Sequence, residues 1–280
     1  MEIITAVLSS LLVLISPVGV VVDQVAEDAI RSRLSGVDSL EVRVDNGPSF
    51  QLLQGKVDRV RIAGRGIEPT PGLRLEVAEL ETDPIDLEFN SLRRGEVVLD
   101  EALQGALHLV ATEADINTFL QSPQVRARLD DLKIGSLNQA QARERERYKI
   151  NNPAIEFLDN NRLKITLKLE DLVQADSTLQ IEAESGLSIS EGDRLMLVEP
   201  VLSVNGQPAP DRLVSALLGD VNERLSLQVL EDRGLTARVI NLTVQPEGLD
   251  LALWLRVDPS VTAPSVASAE TTAPETTPPE

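Results

Sequence analysis

Three long segments alternate apolar and polar residues with a period of two. Leu163, Ile165, Leu167 and Leu169 alternate with Arg162, Lys164, Thr166, Lys168 and Glu170. Leu179, Ile181, Ala183, Leu187 and Ile189 alternate with Gln180, Glu182, Glu184, Ser188 and Ser190. Leu249, Leu251, Leu253, Leu255 and Val257 alternate with Asp250, Ala252, Trp254 and Arg256. Successive side chains of a strand point to opposite faces, so the pattern predicts strands with one buried and one wet face. Leu73, Leu75 and Val77 repeat it, as do Leu103, Leu107, Leu109 and Ala111. "EGDR" from Glu191 and "QPEG" from Gln245 read as turns between strands. Strands joined by short turns pair antiparallel.

Three stretches follow the helical period instead. Val18, Val22, Val25 and Ala29, with Ala26, Ile30 and Leu34 beside them, oppose Asp23, Gln24, Glu27, Asp28 and Arg31. Gly36 is a stop signal for that helix. "TEADINTFL" places Asp115 after Thr112 as in a capping box, with Ile116, Phe119 and Leu120 as its apolar face. "DRLVSALLGDVNERL" aligns Val214, Leu217, Leu218, Val221 and Leu225 after Pro208 and Pro210. Between the last two helices, the charged stretch from Leu137 to Ile150 predicts a mobile connection that becomes a strand near Arg147. The fold expected is α+β: one long curved antiparallel sheet with a few amphipathic helices on its apolar face.

The chain ends differ from this pattern. Ile3–Val22 carries no charge, and about twenty such residues can span a bilayer. Pro17 and Gly19 weaken its last turns, and only Glu2 precedes it where a secretory signal has basic residues. An anchor, an atypical export signal and a buried helix all fit. At the other end, Asp258–Glu280 is rich in Thr, Pro, Ala and Glu and has too little apolar surface to order itself. The expected organisation is an apolar segment over residues 1–17, a single domain over 18–257 and a disordered tail over 258–280.

Composition narrows the function. Hydrophobic residues make up 42% of the 280, but aromatic residues only 2%, so any cavity is lined by aliphatic groups that suit alkyl chains. Aromatic girdles for a transmembrane barrel cannot be built from four Phe, one Tyr and one Trp. A net charge of −19 without a basic, aromatic-laced stripe argues against nucleic acid. The absence of Cys removes disulfides and thiolate chemistry. No nucleophile-elbow, zinc-protease or phosphate-loop motif is present, and the single histidine, His108, falls on the polar side of its strand. No enzyme, metal site or cofactor is expected.

"GKVDRVRIAGRGI" from Gly55 to Ile67 is basic in this acidic chain. Its apolar face changes parity between Val57 and Val60, which predicts a bulge near Asp58 and Arg59. Gly64 and Gly66 permit a sharp turn or a close backbone approach. Arg59, Arg61 and Arg65 then cluster at a sheet edge or rim. They either pair with nearby acids such as Glu76 and Glu79 or hold an anionic headgroup by bidentate contact.

"LQGKVDRVRIAGRGI", "LVATEADINTFL", "ITLKLEDL" and "PVLSVNGQPAP" occur in that order, and together they resemble the bacterial LmeA-like family over about Val18 to Val257. The resemblance implies a non-enzymatic phospholipid-binding or lipid-transfer protein of the cell envelope. It also implies a fold like the tubular lipid-binding proteins, in which a long sheet is wrapped partly around a helix. Phospholipid and a membrane surface are the implied partners, and an envelope or periplasmic location follows, with the cytoplasmic side left open. Under that reading the acyl groove is lined by Val25, Ile30, Leu107, Leu109, Ile165, Leu167, Ile181, Leu218, Val221, Leu251 and Leu253, and the headgroup meets Arg59, Arg61 and Arg65. The alternative is a membrane-anchored structural or scaffold module with a filled core and no ligand.

Overall fold

The structure is a computed structural model, and it describes residues 27–28, 30–47, 51, 54–92, 98–130, 148–171, 178–209 and 225–259. In chain order its strands are β1 (Ser39–Asp45), β2 (Lys56–Val57), β3 (Arg59–Thr70), β4 (Leu73–Thr82), β5 (Ile85–Asp86), β6 (Leu103–Ala111), β7 (Tyr148–Leu158), β8 (Arg162–Asp171), β9 (Thr178–Ser190), β10 (Arg194–Val204), β11 (Gln207–Pro208), β12 (Leu235–Gln245) and β13 (Gly248–Val257). The helices are α1 (Phe89–Leu92), α2 (Glu113–Leu120) and α3 (Pro123–Asp130), with a 3₁₀ segment at Leu227–Arg233. The expected amphipathic helix is seen only at its end, where Glu27, Asp28, Ile30 and Arg31 are helical and Gly36 already bridges to Glu68. The apolar segment 1–17, the connection at 131–147, the helix signalled within 210–224 and the tail from 260 lie outside the described residues. Among the described residues no helix is long and apolar enough to cross a membrane.

The strands are antiparallel, as expected, but they form two main sheets where one was expected. A six-stranded sheet has the order β1-β3-β4-β6-β13-β12, a five-stranded sheet the order β11-β10-β9-β8-β7, and β2 pairs with β5 alone. The period-two pattern places one residue from each strand of the six-stranded sheet in a single row: Val42, Ile62, Leu80, Leu107, Leu253 and Val239. All are buried. Ile30, the 3₁₀ residues Leu227 and Leu230, and Leu187, Ile189 and Leu195 of the second sheet pack against this face.

The two sheets are joined by turns, which explains why one ladder does not continue into the next. β12 is an edge strand, and an edge leaves backbone groups to be satisfied. Asn161, in the β7–β8 turn, accepts from the Val244 N–H at 2.8 Å and donates to the Leu242 carbonyl at 3.4 Å. Gly192, in the β9–β10 turn, accepts from the Val239 N–H at 2.6 Å. The five-stranded sheet therefore meets β12 through its hairpin tips, and a strand-by-strand ladder never forms there.

Helix α2 ties the other side. The Thr112 hydroxyl accepts from the Asp115 N–H and donates to the Asp115 carboxylate, the reciprocal start that the sequence signals. One turn apart, Glu113 and Asn117 face β7: Asn117 bonds both backbone groups of Ile155 at 2.8 Å, and Glu113 accepts from the Phe157 N–H at 2.9 Å. Ile116 packs into the cores on both sides, and Phe119 is buried with Leu73 and Val125. Arg74 of β4 closes this corner by pairing with Glu76, Asp38 and Asp115, and these carboxylates hold its guanidinium above the ordinary value.

In the basic stretch, Asp58 is indeed the break. Val57 pairs with Ile85 in the small ribbon, while the β3 ladder starts at Arg59, with Val60 opposite Val44. The chain thereby moves both apolar residues inward despite their opposite parity, and both are buried. Gly66 sits at φ +56° inside β3, where an added Cβ would lie 2.1 Å from an Asp38 carboxylate oxygen. The edge position expected for this strand is a correction: β3 lies inside the sheet, covered by β1.

Candidate functional site

The five-stranded sheet has one charged and one aliphatic face. On the charged face Lys164 pairs with Glu156 at 2.8 Å, Arg162 with Glu184 at 2.9 Å, and Asn151 donates to Glu170. Such cross-strand pairs stabilise an exposed sheet face modestly. On the other face, pairing sets Ile150, Leu169 and Leu179 in one row and Leu167, Ile181 and Val204 in the next. Ile155, Ile165, Ala183 and Leu202 form a third, and Phe157, Leu163 and Ser185 a fourth.

Burial changes along these rows. Phe157 and Leu163 are 4% and 7% exposed and pack with Val244 of β12, closing one end. Ile165, one row out, is 38% exposed. Ile155, Leu167, Leu169, Leu179, Ile181, Leu202 and Val204 are half-buried. The face is thus an aliphatic strip anchored in the core at one end. The four rows carry no charged residue, so what they can do chemically is sequester hydrocarbon from water.

The expected groove residues divide between this strip and the core. Ile165, Leu167 and Ile181 come together on it. Ile30, Leu107, Leu109 and Leu253 lie in the closed core under the six-stranded sheet, with Leu251 packed beside them. Val25, Leu218 and Val221 lie outside the described residues. The sequence reading missed Ile155, Phe157, Leu202 and Val204. Their alternation is broken by register shifts at Asn151–Ala154 and Val198–Val201, which displace the apolar parity by one.

The three arginines stand together on the outer face of the six-stranded sheet, and each has an acidic partner. Arg59 pairs with Glu81 at 2.9 Å, Arg61 with Asp45, and Arg65 with Glu79 at 3.6 Å. Arg61, and after it Arg43, holds the Asp45 carboxyl below its ordinary value. Glu76, the other partner expected for this cluster, pairs instead with Arg74.

The profile of the LmeA-like phospholipid-binding family matches residues 14–253. The chain belongs to that family. No curated protein and no solved structure matches it. The aliphatic strip and the arginine row of this LmeA-like protein both lie within the matched span.

His108 is a surface strand residue with a specific setting. Its Nε2 lies 3.2 Å from Asp250 and its Nδ1 3.3 Å from Glu79, on the strands to either side. Asp250 first, then Glu79, raise the imidazole pKa above its ordinary value despite partial burial. A raised folded-state pKa means that the protonated form stabilises the fold. That stabilisation is complete below about pH 6.5, the unfolded value, and disappears as pH rises through the folded-state value. His108→Gln should therefore lower Tm relative to wild type more at pH 6 than at pH 9, by an amount that salt reduces. An equal difference at both pH values would show that the pairing carries no proton linkage.

Proposed function

We propose that this protein holds phospholipid by laying acyl chain on the aliphatic strip of the five-stranded sheet, as a carrier or holder that leaves the lipid chemically unchanged. The observation that carries this is the uncharged, half-buried face of β7–β10, in a chain whose family is described as phospholipid-binding. Burial of apolar surface is worth about 25 cal/mol per Å², so a chain transferred onto such a face gains substantially even when one side stays wet. The test is mass spectrometry of organic extracts from protein purified without detergent, followed by exchange with labelled vesicles. Diacyl phospholipid should be recovered in near-equal amount to protein. An empty extract together with no uptake from vesicles would leave the filled-core scaffold reading in its place.

Association with a membrane surface, and an envelope location, belong to the same proposal. Met1–Pro17 supplies the attachment, and deleting it should move folded protein to the soluble fraction. Arg59, Arg61 and Arg65 supply a contact for an anionic surface, since their side chains remain 51%, 43% and 57% exposed beside their acidic partners. Each surface charge contributes about 1 kcal/mol near an anionic membrane, and less with salt. Replacing all three by Gln should weaken binding to anionic vesicles and leave binding to zwitterionic ones unchanged. Equal binding by variant and wild type would reduce the row to ion pairs within the protein.

A further inference from the structure

The strip has a stopped end and a polar end, and we infer that it takes one acyl chain tail-first, acting as a ruler for chain length. The inference rests on the phospholipid-holding reading above and adds orientation and size selectivity to it. The stop is Phe157, Leu163 and Val244, packed with Ile116, Ile155, Leu187 and Leu249. All three stop residues are buried, and Asn161 and Asn117 fix the backbone on either side of them. A terminal methyl group meets hydrocarbon there, and Ser185 of the same row has its hydroxyl engaged by the Gly186 and Val198 carbonyls.

The opposite end is polar. β9 begins at Thr178 and β10 ends at Val204, where the Gln180 N–H donates to the Asn205 side chain and the Asn205 N–H donates to the Gln180 carbonyl, both at 2.8 Å. Asn151 and Glu170 lie at the same end on the charged face. A carboxyl ester and headgroup placed at this end stay hydrated. The reverse orientation would press them against Phe157 and Leu163, and unpaired ester oxygens in an apolar site cost several kcal/mol. That cost decides the direction.

Length and width follow from the register. From Leu163 to Leu169 the strip spans six residue steps, about 20 Å at ~3.3 Å per residue. An extended alkyl chain rises about 1.25 Å per carbon, from C–C bonds of about 1.5 Å, so the strip accommodates about 16 carbons. On β9 the floor includes Ala183, the smallest side chain of its row, between Ile165 on β8 and Leu202 on β10. The small residue leaves a shallow trough at that row, about one strand spacing, or ~4.8 Å, on either side of β9. That width suits a single alkyl chain.

The experiment uses the full chain and vesicles of equimolar phosphatidylcholine and phosphatidylglycerol, matched in acyl length from about 10 to 20 carbons. Native mass spectrometry after exchange reads which length is retained. Uptake should be greatest near 16 carbons, and each methylene left outside the strip should weaken retention about fourfold. Ala183→Phe fills the trough about 13 Å from Leu179, so its optimum should move down to about 10 carbons. Ala183→Leu, a smaller change, should move it less and covers the case in which the Phe variant does not fold. A flat length profile in wild type, or an optimum unmoved by either variant with folding intact, overturns the ruler while the holding function stands. No uptake at any length overturns the holding function itself.

Discussion

Replacing Leu253 by alanine should lower the unfolding free energy by about 3 to 5 kcal/mol, the upper part of the range for buried Leu. Leu253 is 1% exposed and sits between Leu107 and Val239 in the row that crosses all strands of the six-stranded sheet. Its backbone is held by ladders on both sides, so the strands cannot close over the lost volume, and the cavity term adds to the transfer term. Leu167→Ala on the aliphatic strip removes the same atoms from a half-buried position, so it should cost about 1 kcal/mol. Denaturant unfolding of both variants checks the contrast through the midpoint, with the slope unchanged. Similar losses at the two positions would mean that Leu253 borders open space, as a groove residue would, and that the buried row is not a closed core.

The strands with unbroken alternation were legible from sequence. β4, β6, β8, β9 and β13 fall where the period-two pattern placed them: β6, β8, β9 and β13 keep one parity along most of their length, and β4 keeps it as far as Val77, beyond which Ala78, Leu80 and Thr82 turn inward. β10 and β12 escaped for two different reasons. In β12 the parity passes from Leu235, Ala237 and Val239 to Leu242 and Val244 across a register shift that leaves Ile240 exposed. In β10, Leu195 and Leu197 face the interior while Met196 and Val198 are apolar and exposed, so the strand has no contrast to read. The division into two sheets was not legible either. It depends on which turn meets which edge, and the contacts responsible, Asn161 to Val244 and Gly192 to Val239, join positions far apart in the chain.

The site was legible in part for a different reason. Leu107 and Leu109 alternate in the same way as Leu167 and Leu169, yet the first pair is buried in the core and the second lies on the half-buried strip. Period two reports that a face is apolar, and burial depends on what packs against it. The same limit applies to the arginines. Their clustering on one face follows from parity, but their partners Glu81 and Asp45 come from the register of β4 and β1, which no local pattern specifies.

Asn161→Ala should destabilise the protein by about 2 to 4 kcal/mol, a large effect for a half-buried turn residue. Two mechanisms add. Alanine removes the side-chain acceptor for the Val244 N–H and the donor to Leu242. Val244 is 0% exposed, so its amide is left without water as a replacement, at about 1 to 3 kcal/mol. Asn161 also has φ 57°, a left-handed conformation that costs alanine about 1 kcal/mol and glycine nothing. Asn161→Gly therefore isolates the hydrogen-bond contribution, and the difference between the two variants should be about 1 kcal/mol. Hydrogen exchange at the Val244 amide gives the local reading. It should accelerate in both variants, because this bond pins the five-stranded sheet to β12 at the stopped end of the strip. If the amide stays protected and both variants keep wild-type stability, the sheets are held together by apolar packing of Phe157, Leu163 and Val244 alone.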